Sequence, residues 1–329
     1  MSTRQKKRCV CGVDLGGTKT ATALIDFHGN IHHKTKKKTD VSDGAKSVMA
    51  GIVRMIRDEF EYADNHEMIV NAIGMGSGGC IDKDKGVVSY ATSVFPGWIG
   101  MPIKDILQKE FDVPVSIDND GKVTALGEGW IGAAKGVENF VCIAVGTGVT
   151  SGIVISGELY RGYGGYAGEI GHASIEMNGV ECDCGNYGCL DAYVGASSII
   201  KRVTKALKKG VKTKINDKIK GDLAKVTPQI VFESAQEGDE FALSVLAEVS
   251  KYLRVGIANL INTLNPELIV LSGGLAQAGE LLLKFVRPAV KQRINVQATG
   301  QINIKLTKLG EEAGVIGAAA LAITNMEQS

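Results

Sequence analysis

The chain has 329 residues, enough for two domains of ordinary size, and its 44% hydrophobic content can supply a core to each. Lys plus Arg number 37 against 36 for Asp plus Glu, a formal charge of +1 that gives no bulk pull toward nucleic acid or anionic lipid. No run approaches the ~18–20 apolar residues that cross a bilayer, and the basic start (Arg4, Lys6, Lys7, Arg8) leads into a short apolar strand, not a signal-peptide core.

Taken in chain order, residues 9–14, 21–27 and 31–37 read as three strands, with His28-Gly29-Asn30 as a hairpin turn. A helix is expected from Ser42 or Asp43, because Val48, Ile52, Met55, Ile56 and Phe60 recur at three- and four-residue spacing. A buried strand follows at 68–76. The order β, β, β, α, β departs from the alternating βαβ of a dinucleotide-binding fold. Asp118-Asn119-Asp120 closes a strand at 114–117 and opens a helix at 122–130. A second pass begins near Phe140, with strands at 141–146 and 151–156 around a Gly146-Thr147-Gly148 turn. A glycine turn inside a hairpin is thus used twice, and two related lobes facing one cleft are expected, although no sequence repeat proves duplication. Residues 201–225 read as Lys-rich surface helix and loop, and amphipathic helices are expected at 228–236 and 240–264. An apolar strand enters Gly273-Gly274, a helix is expected at 276–290, and residues 313–323 form a small-residue helix suited to tight packing.

Chemistry-bearing residues gather at a few points. His172, Cys182, Cys184 and Cys189 offer one imidazole and three thiolates, the ligand set of a closed tetrahedral zinc site with no open position for water, hence a structural metal. Seven cysteines, an odd number with three clustered, suit a reducing cytoplasmic compartment better than a disulfide framework. Asp14 stands at a strand end before Gly16, Gly17, Thr18 and Lys19. Such a carboxylate can hold Mg²⁺ while the turn meets phosphate oxygens, and a plain hairpin turn is the alternative. The spacing is not that of a Walker A loop. Asp120 can accept a proton from a hydroxyl and Asn119 can hold a neighbouring one, yet helix capping alone explains such a triplet. Glu169 lies three residues before His172, either facing a substrate or supporting the metal ligand. The Lys-rich stretches lack aromatic interleaving and read as solvated faces, so no nucleic-acid partner is expected.

In this order the motifs Asp14-x-Gly-Gly-Thr-Lys, Asn119-Asp120, Gly146-Thr-Gly148, Glu169-x-Gly-His172, Cys182-x-Cys184-Gly-x-x-Gly-Cys189 and Gly273-Gly274 resemble those of the ROK sugar kinases and repressors. The resemblance implies an α/β, two-lobed actin-like ATPase (ribonuclease H-like) fold with an interlobe cleft. The small lobe would hold residues 1–119 and 313–329. The large lobe would hold 120–312, with the zinc-binding segment at 171–191. It implies ATP, Mg²⁺ and structural Zn²⁺, a homodimer, and phosphorylation of the 6-hydroxyl of a hexose or N-acetylhexosamine. Asp120 would be the general base. Gly78, Asn119, Glu169, His172 and Asp191 would line the sugar. Asp14, Gly16 to Lys19 and Gly146 to Gly148 would hold magnesium and phosphates, and Gly273-Gly274 the adenosine. Three departures fall on the acceptor side: Asp191 replaces the family's usual Glu, Gly78 its customary Pro, and Ser93-Val94 its Asn-Leu before Phe95-Pro96-Gly97-Trp98. A kinase of a rare hexose or cyclitol is therefore the neighbouring alternative. A sugar-sensing regulator without catalysis is the alternative of another class, against which only eight residues precede Cys9 for a DNA-reading domain.

Overall fold

The computed structural model describes residues 6–91, 95–294 and 303–327. Arg4, Ser93 and Val94 lie outside them. The chain divides into two compact units, the first Met1–Gly136, Leu159–Ala167 and Glu311–Ser329, the second Val137–Glu158 and Gly168–Gly310.

In the first unit, strands β1 (Lys7–Leu15), β2 (Lys19–Asp26) and β3 (Ile31–Lys38) form an antiparallel meander, and helix α1 (Gly44–Asn65) returns the chain to β4 (Met68–Ser77). The short hairpin β5 (Cys80–Asp82) and β6 (Val87–Tyr90) precedes α2 (Ile103–Phe111), β7 (Val115–Asn119) and α3 (Asp120–Trp130). The sheet order is β3-β2-β1-β4-β7, with β4 and β7 parallel to β1, so β3 is an edge strand. Helix α1 lays Val48, Ile52, Met55 and Ile56 into the core as its spacing predicts. Its buried Glu59 is kept satisfied by the Thr22 hydroxyl at 2.8 Å and His33 Nδ1 at 2.7 Å.

The last helix, α10 (Ala313–Glu327), belongs to this unit and packs on β1, β4 and α3 by close backbone approach. A Cβ at Gly12 would lie 2.2 Å from the Val315 carbonyl oxygen, at Gly74 1.8 Å from that of Ala318, and at Gly317 1.9 Å from that of Val123. Only glycine admits such contact.

The second unit repeats the topology. Strands β8 (Phe140–Val145), β9 (Val149–Ile155) and β10 (Glu158–Tyr160, of which Leu159 and Tyr160 count with the first unit) make the meander, and β11 (Leu268–Ser272) and β12 (Asn303–Leu306) add parallel strands in the order β10-β9-β8-β11-β12. Between them run α4 (Asp191–Val194), α5 (Ala196–Lys208), α6 (Lys214–Ile219), α7 (Pro228–Gln236) and α8 (Glu240–Leu264). The Lys-rich stretch proves amphipathic: Ile199, Val203, Leu207, Ile215 and Ile219 are all buried. The helix expected at 276–290 is instead a 3₁₀ segment, Gly274–Ala278, followed by α9 (Glu280–Lys291). Gly279 divides them, because its φ of 64° is left-handed backbone that cannot continue a helix.

Gly74→Ala should therefore cost about 3 kcal/mol or more, since neither backbone can yield without moving a strand or a helix. In Gly51→Ala the new Cβ meets nothing within 4 Å on α1, and the change should add about 0.5–1 kcal/mol of stability. Urea unfolding midpoints read both.

Candidate active site and metal centre

Parallel register delivers the first cluster. Asp14 of β1 lies beside Gly76 of β4, which lies beside Asp118 of β7, and Leu15, Ser77 and Asn119 form the next row. Asp14 and the Asp118-Asn119-Asp120 run therefore leave the sheet at one edge, about 10 Å apart by two strand spacings.

The Gly16-to-Lys19 turn joins β1 to β2, with the Gly16 N–H donating to the Lys19 carbonyl at 3.0 Å. Gly16 takes no positive φ, and a Cβ there would lie 2.9 Å from the Lys19 carbonyl oxygen, so this glycine serves close approach and not left-handed backbone. Thr39 braces the turn from outside: its hydroxyl donates to the Gly16 carbonyl at 2.9 Å and its N–H to the Thr18 carbonyl at 3.0 Å. Asp14 is half-buried, and a Cβ at Gly314 would fall 2.3 Å from its carboxylate oxygen, so this glycine opens α10's first turn to the acid. Burial pushes the Asp14 carboxyl up to about 6, with Lys36 opposing.

Asn119 is the N-cap of α3. Its side-chain oxygen accepts from the Gly121 and Lys122 N–H groups at 3.0 and 3.3 Å, and its Nδ2 donates to the Gly79 carbonyl at 2.9 Å. The capping alternative is thus realised, and it places Asp120 at the first helical residue, where the helix dipole favours a carboxylate. Asp120 Oδ1 accepts from the Gly121 N–H at 2.8 Å. In the loop after β4, a Cβ at Gly78 would meet nothing within 4 Å, while Gly79 carries the positive φ of 92°. Buried Trp98 donates its indole N–H to the Ser77 hydroxyl at 3.2 Å and fixes the end of β4.

Two residues that sequence reading passed over complete this edge. Lys122 is 1% exposed and donates to the Gly165 carbonyl at 2.7 Å, and Arg161 Nε donates to Asp118 Oδ2 at 2.8 Å. Together they hold Leu159–Ala167 onto the first unit. A cation in the first turn of a helix opposes the dipole, and that local conflict was the available signal for Lys122.

In the second unit the Gly146-Thr147-Gly148 turn joins β8 to β9, with the Gly146 N–H donating to the Gly148 carbonyl at 2.8 Å. Ser272 of β11 pairs with Ala144, which brings Gly273 against Val145: a Cβ there would lie 2.5 Å from the Val145 carbonyl oxygen, and φ is 77°. The second turn and the late glycine pair are thereby brought together. Glu169 precedes the 3₁₀ turn Ile170–His172, whose Gly171 packs so closely on β9 that a Cβ would sit 2.1 Å from the Val149 carbonyl oxygen. Asp191 Oδ1 accepts from the Val149 N–H at 2.6 Å.

One ligand atom from each of His172, Cys182, Cys184 and Cys189 lies within 4.8 Å of all the others. Cys184 Sγ is 3.7 Å from Cys189 Sγ, and Cys182 Sγ is 3.9 Å from His172 Nδ1. A tetrahedral centre with bonds of ~2.3 Å to sulfur and ~2.0 Å to nitrogen needs edges of about 3.5–3.8 Å, so the donor set fits one zinc-sized ion. Burial, reinforced by the neighbouring sulfurs, pushes the Cys189 thiol up to about 12. Burial likewise raises the Cys182 thiol, whereas at Cys184 burial is outweighed by hydrogen bonding, from the Asn186 N–H foremost, which lowers that thiol, and a soft cation bound here would displace the protons of all three to solvent. The chain purified without chelator should carry about one zinc per molecule, and Cys184→Ser should lose the metal and lower Tm by several degrees, checked by elemental analysis and thermal melts.

Residues 10–325 match the model of the ROK family. The chain is 36% identical to a glucokinase of Halalkalibacterium halodurans over 314 residues, covering 94% of this chain and 93% of that one. It is 30% identical to a xylose repressor of Caldicellulosiruptor bescii, covering 96% of this chain and 78% of the repressor. A ROK family glucokinase from Streptomyces griseus, crystallised with glucose and AMPPNP, superposes with a TM-score of 0.88 at 28% identity, over 96% of this chain and 99% of that one. The fold is of the α/β actin–hexokinase type. The chain belongs to the ROK family, as a sugar kinase related to the glucokinases.

Proposed function

We propose that the chain transfers the γ-phosphoryl group of ATP to the primary (6-) hydroxyl of a hexose, with glucose the leading acceptor and an N-acetylhexosamine the next. The observation that carries this reading is the shared edge of β1, β4 and β7, which presents Asp14 with its glycine turn and Asp120 two strands away. Phosphoryl transfer asks a protein for positioning and charge neutralisation more than for covalent chemistry; that edge supplies the positioning, and a Mg²⁺ at Asp14 would supply the neutralisation.

The Asp120 carboxylate takes the proton of the sugar hydroxyl while that oxygen bonds to the γ-phosphorus and the bond to the bridging oxygen breaks, releasing ADP. Gly78, Asn119, Glu169 and His172 orient the sugar, Asn119 chiefly by fixing the start of α3 and the Gly79 carbonyl. Gly16 to Lys19 in the first unit and Gly146 to Gly148 in the second are the phosphate turns, and Gly273-Gly274 meets adenosine. Asp14 would hold Mg²⁺, which when bound neutralises the phosphate charge. Zinc at His172, Cys182, Cys184 and Cys189 would be structural, fixing the imidazole's orientation. Two lobes, residues 1–119 with 313–329 and residues 120–312, form part of this reading. Net charge of +1 supports small-molecule partners over nucleic acid, the odd count of seven cysteines with three of them clustered supports a cytoplasmic setting, and the family resemblance supports a homodimer.

An acceptor panel in an ADP-release assay tests the substrate: glucose should be turned over at least as efficiently as every other hexose or cyclitol. Asp120→Asn should lower kcat by about 10²–10⁴ while glucose and ADP still bind, as calorimetry would read. The pH dependence follows from Asp14. Its proton is bound as pH falls through about 6, and a neutral carboxyl holds no cation. Hence kcat/KM for Mg-ATP should be flat above neutrality and fall below about pH 6, and Asp14→Asn, already slow, should lack that limb.

A further inference from the structure

We infer that Asp191 is a positioning residue of the nucleotide side: it braces the Gly146-Thr147-Gly148 turn against the metal-bearing loop, and it is not a contact to the sugar. The inference rests on reading that turn as a phosphate turn.

Asp191 is held where its carboxylate has little freedom. It opens α4 two residues after the metal-cluster residue Cys189, and the intervening Leu190 is fully buried. The Leu190 N–H donates to the Ala173 carbonyl at 3.1 Å, and its side chain lies where a Cβ on Gly256 of α8 would come within 2.7 Å. From this anchor, Asp191 Oδ1 receives the Val149 N–H at 2.6 Å, a short charge-assisted bond. Val149 is 3% exposed and is the first residue of β9, so without this acceptor its N–H would be buried and unpaired.

Two glycines make room for the same oxygen. A Cβ at Gly148 would sit 3.0 Å from Asp191 Oδ1, and a Cβ at Gly195 would sit 3.1 Å from it and 3.2 Å from the Thr147 carbonyl oxygen. The start of α5 adds a second brace, the Ala196 N–H donating to the Gly146 carbonyl at 3.0 Å. Beside the turn's own bond from the Gly146 N–H to the Gly148 carbonyl, both of these braces come from the segment that follows Cys189. Among the described residues, the Thr147 and Gly148 N–H groups find no acceptor. Those two donors at an exposed tip are what a phosphate oxygen would take. Asp191 thus decides which amides of the hairpin are spent internally and which remain for ligand.

The test separates geometry from charge and nucleotide from sugar. Dissociation constants for Mg-ADP and for glucose are measured by calorimetry on the intact, metal-loaded chain and on Asp191→Ala, Asp191→Asn and Asp191→Glu, with metal content determined for each. Asp191→Ala should bind Mg-ADP about tenfold more weakly and glucose within about twofold of the parent, with metal retained. Asp191→Asn keeps an acceptor oxygen and sheds a negative charge, so it should recover most of the nucleotide affinity. Asp191→Glu displaces the oxygen by one methylene and should weaken Mg-ADP again. Should the Ala variant misfold, the Asn and Glu pair reads the same contrast. Weaker glucose binding with Mg-ADP unchanged in the Ala and Asn variants would overturn the inference and restore Asp191 to the sugar, as would equal nucleotide loss in Ala and Asn. A parent chain that binds no Mg-ADP would instead sink the phosphate-turn reading beneath it.

Discussion

Helix α10 meets β1, β4 and α3 backbone to backbone, and the placement of the acidic edge depends on that contact. At Gly12, Gly74 and Gly317 a single methyl would overlap a carbonyl oxygen of the facing element. These glycines set how near the C-terminal helix lies to the sheet, and Gly314 at its start then touches Asp14. A wider spacing would open Asp14 to water, and the burial that pushes its carboxyl up to about 6 would be lost. The electrostatic character of a candidate cation ligand is thus fixed by residues that carry no charge.

The two hairpin turns obey a common rule. Each is tied from outside by one polar side chain reached from a distant part of its own unit: Thr39 holds the Gly16 carbonyl, and Asp191 holds the Val149 N–H. Bare hairpin turns of this length would sample several conformations, and these supports reduce that freedom. The supports differ in sign, a donor in one unit and an acceptor in the other, although the strand order around them is the same. Duplication is therefore visible in topology while the supporting chemistry has been solved twice.

Much of this was legible in the residues because glycine pairs, capping residues and cysteine spacing are local signals. The three-strand opening, α7 and α8 follow periodicity and turn chemistry, and the metal cluster assembles from four positions named by their ligand chemistry. Helix α9 was misplaced at its start because an apolar pattern runs through Gly279, and periodicity does not report the left-handed φ that interrupts it. Lys122 and Arg161 escaped because their partners, Gly165 and Asp118, lie 43 residues away in each case. The bond from the Val149 N–H to Asp191 spans 42 residues, a pairing no local pattern encodes.

The basic run at the end of β3 gains a meaning from its place in the sheet. Lys34, Lys36, Lys37 and Lys38 stand on a strand that, among the described residues, has no further strand on its outer side. Lys34 and Lys36 are tethered to Glu312 and Glu311, and Lys37 to Asp58. An open edge of that length invites a second chain to extend the sheet, and a crowd of ammonium groups makes such docking repulsive.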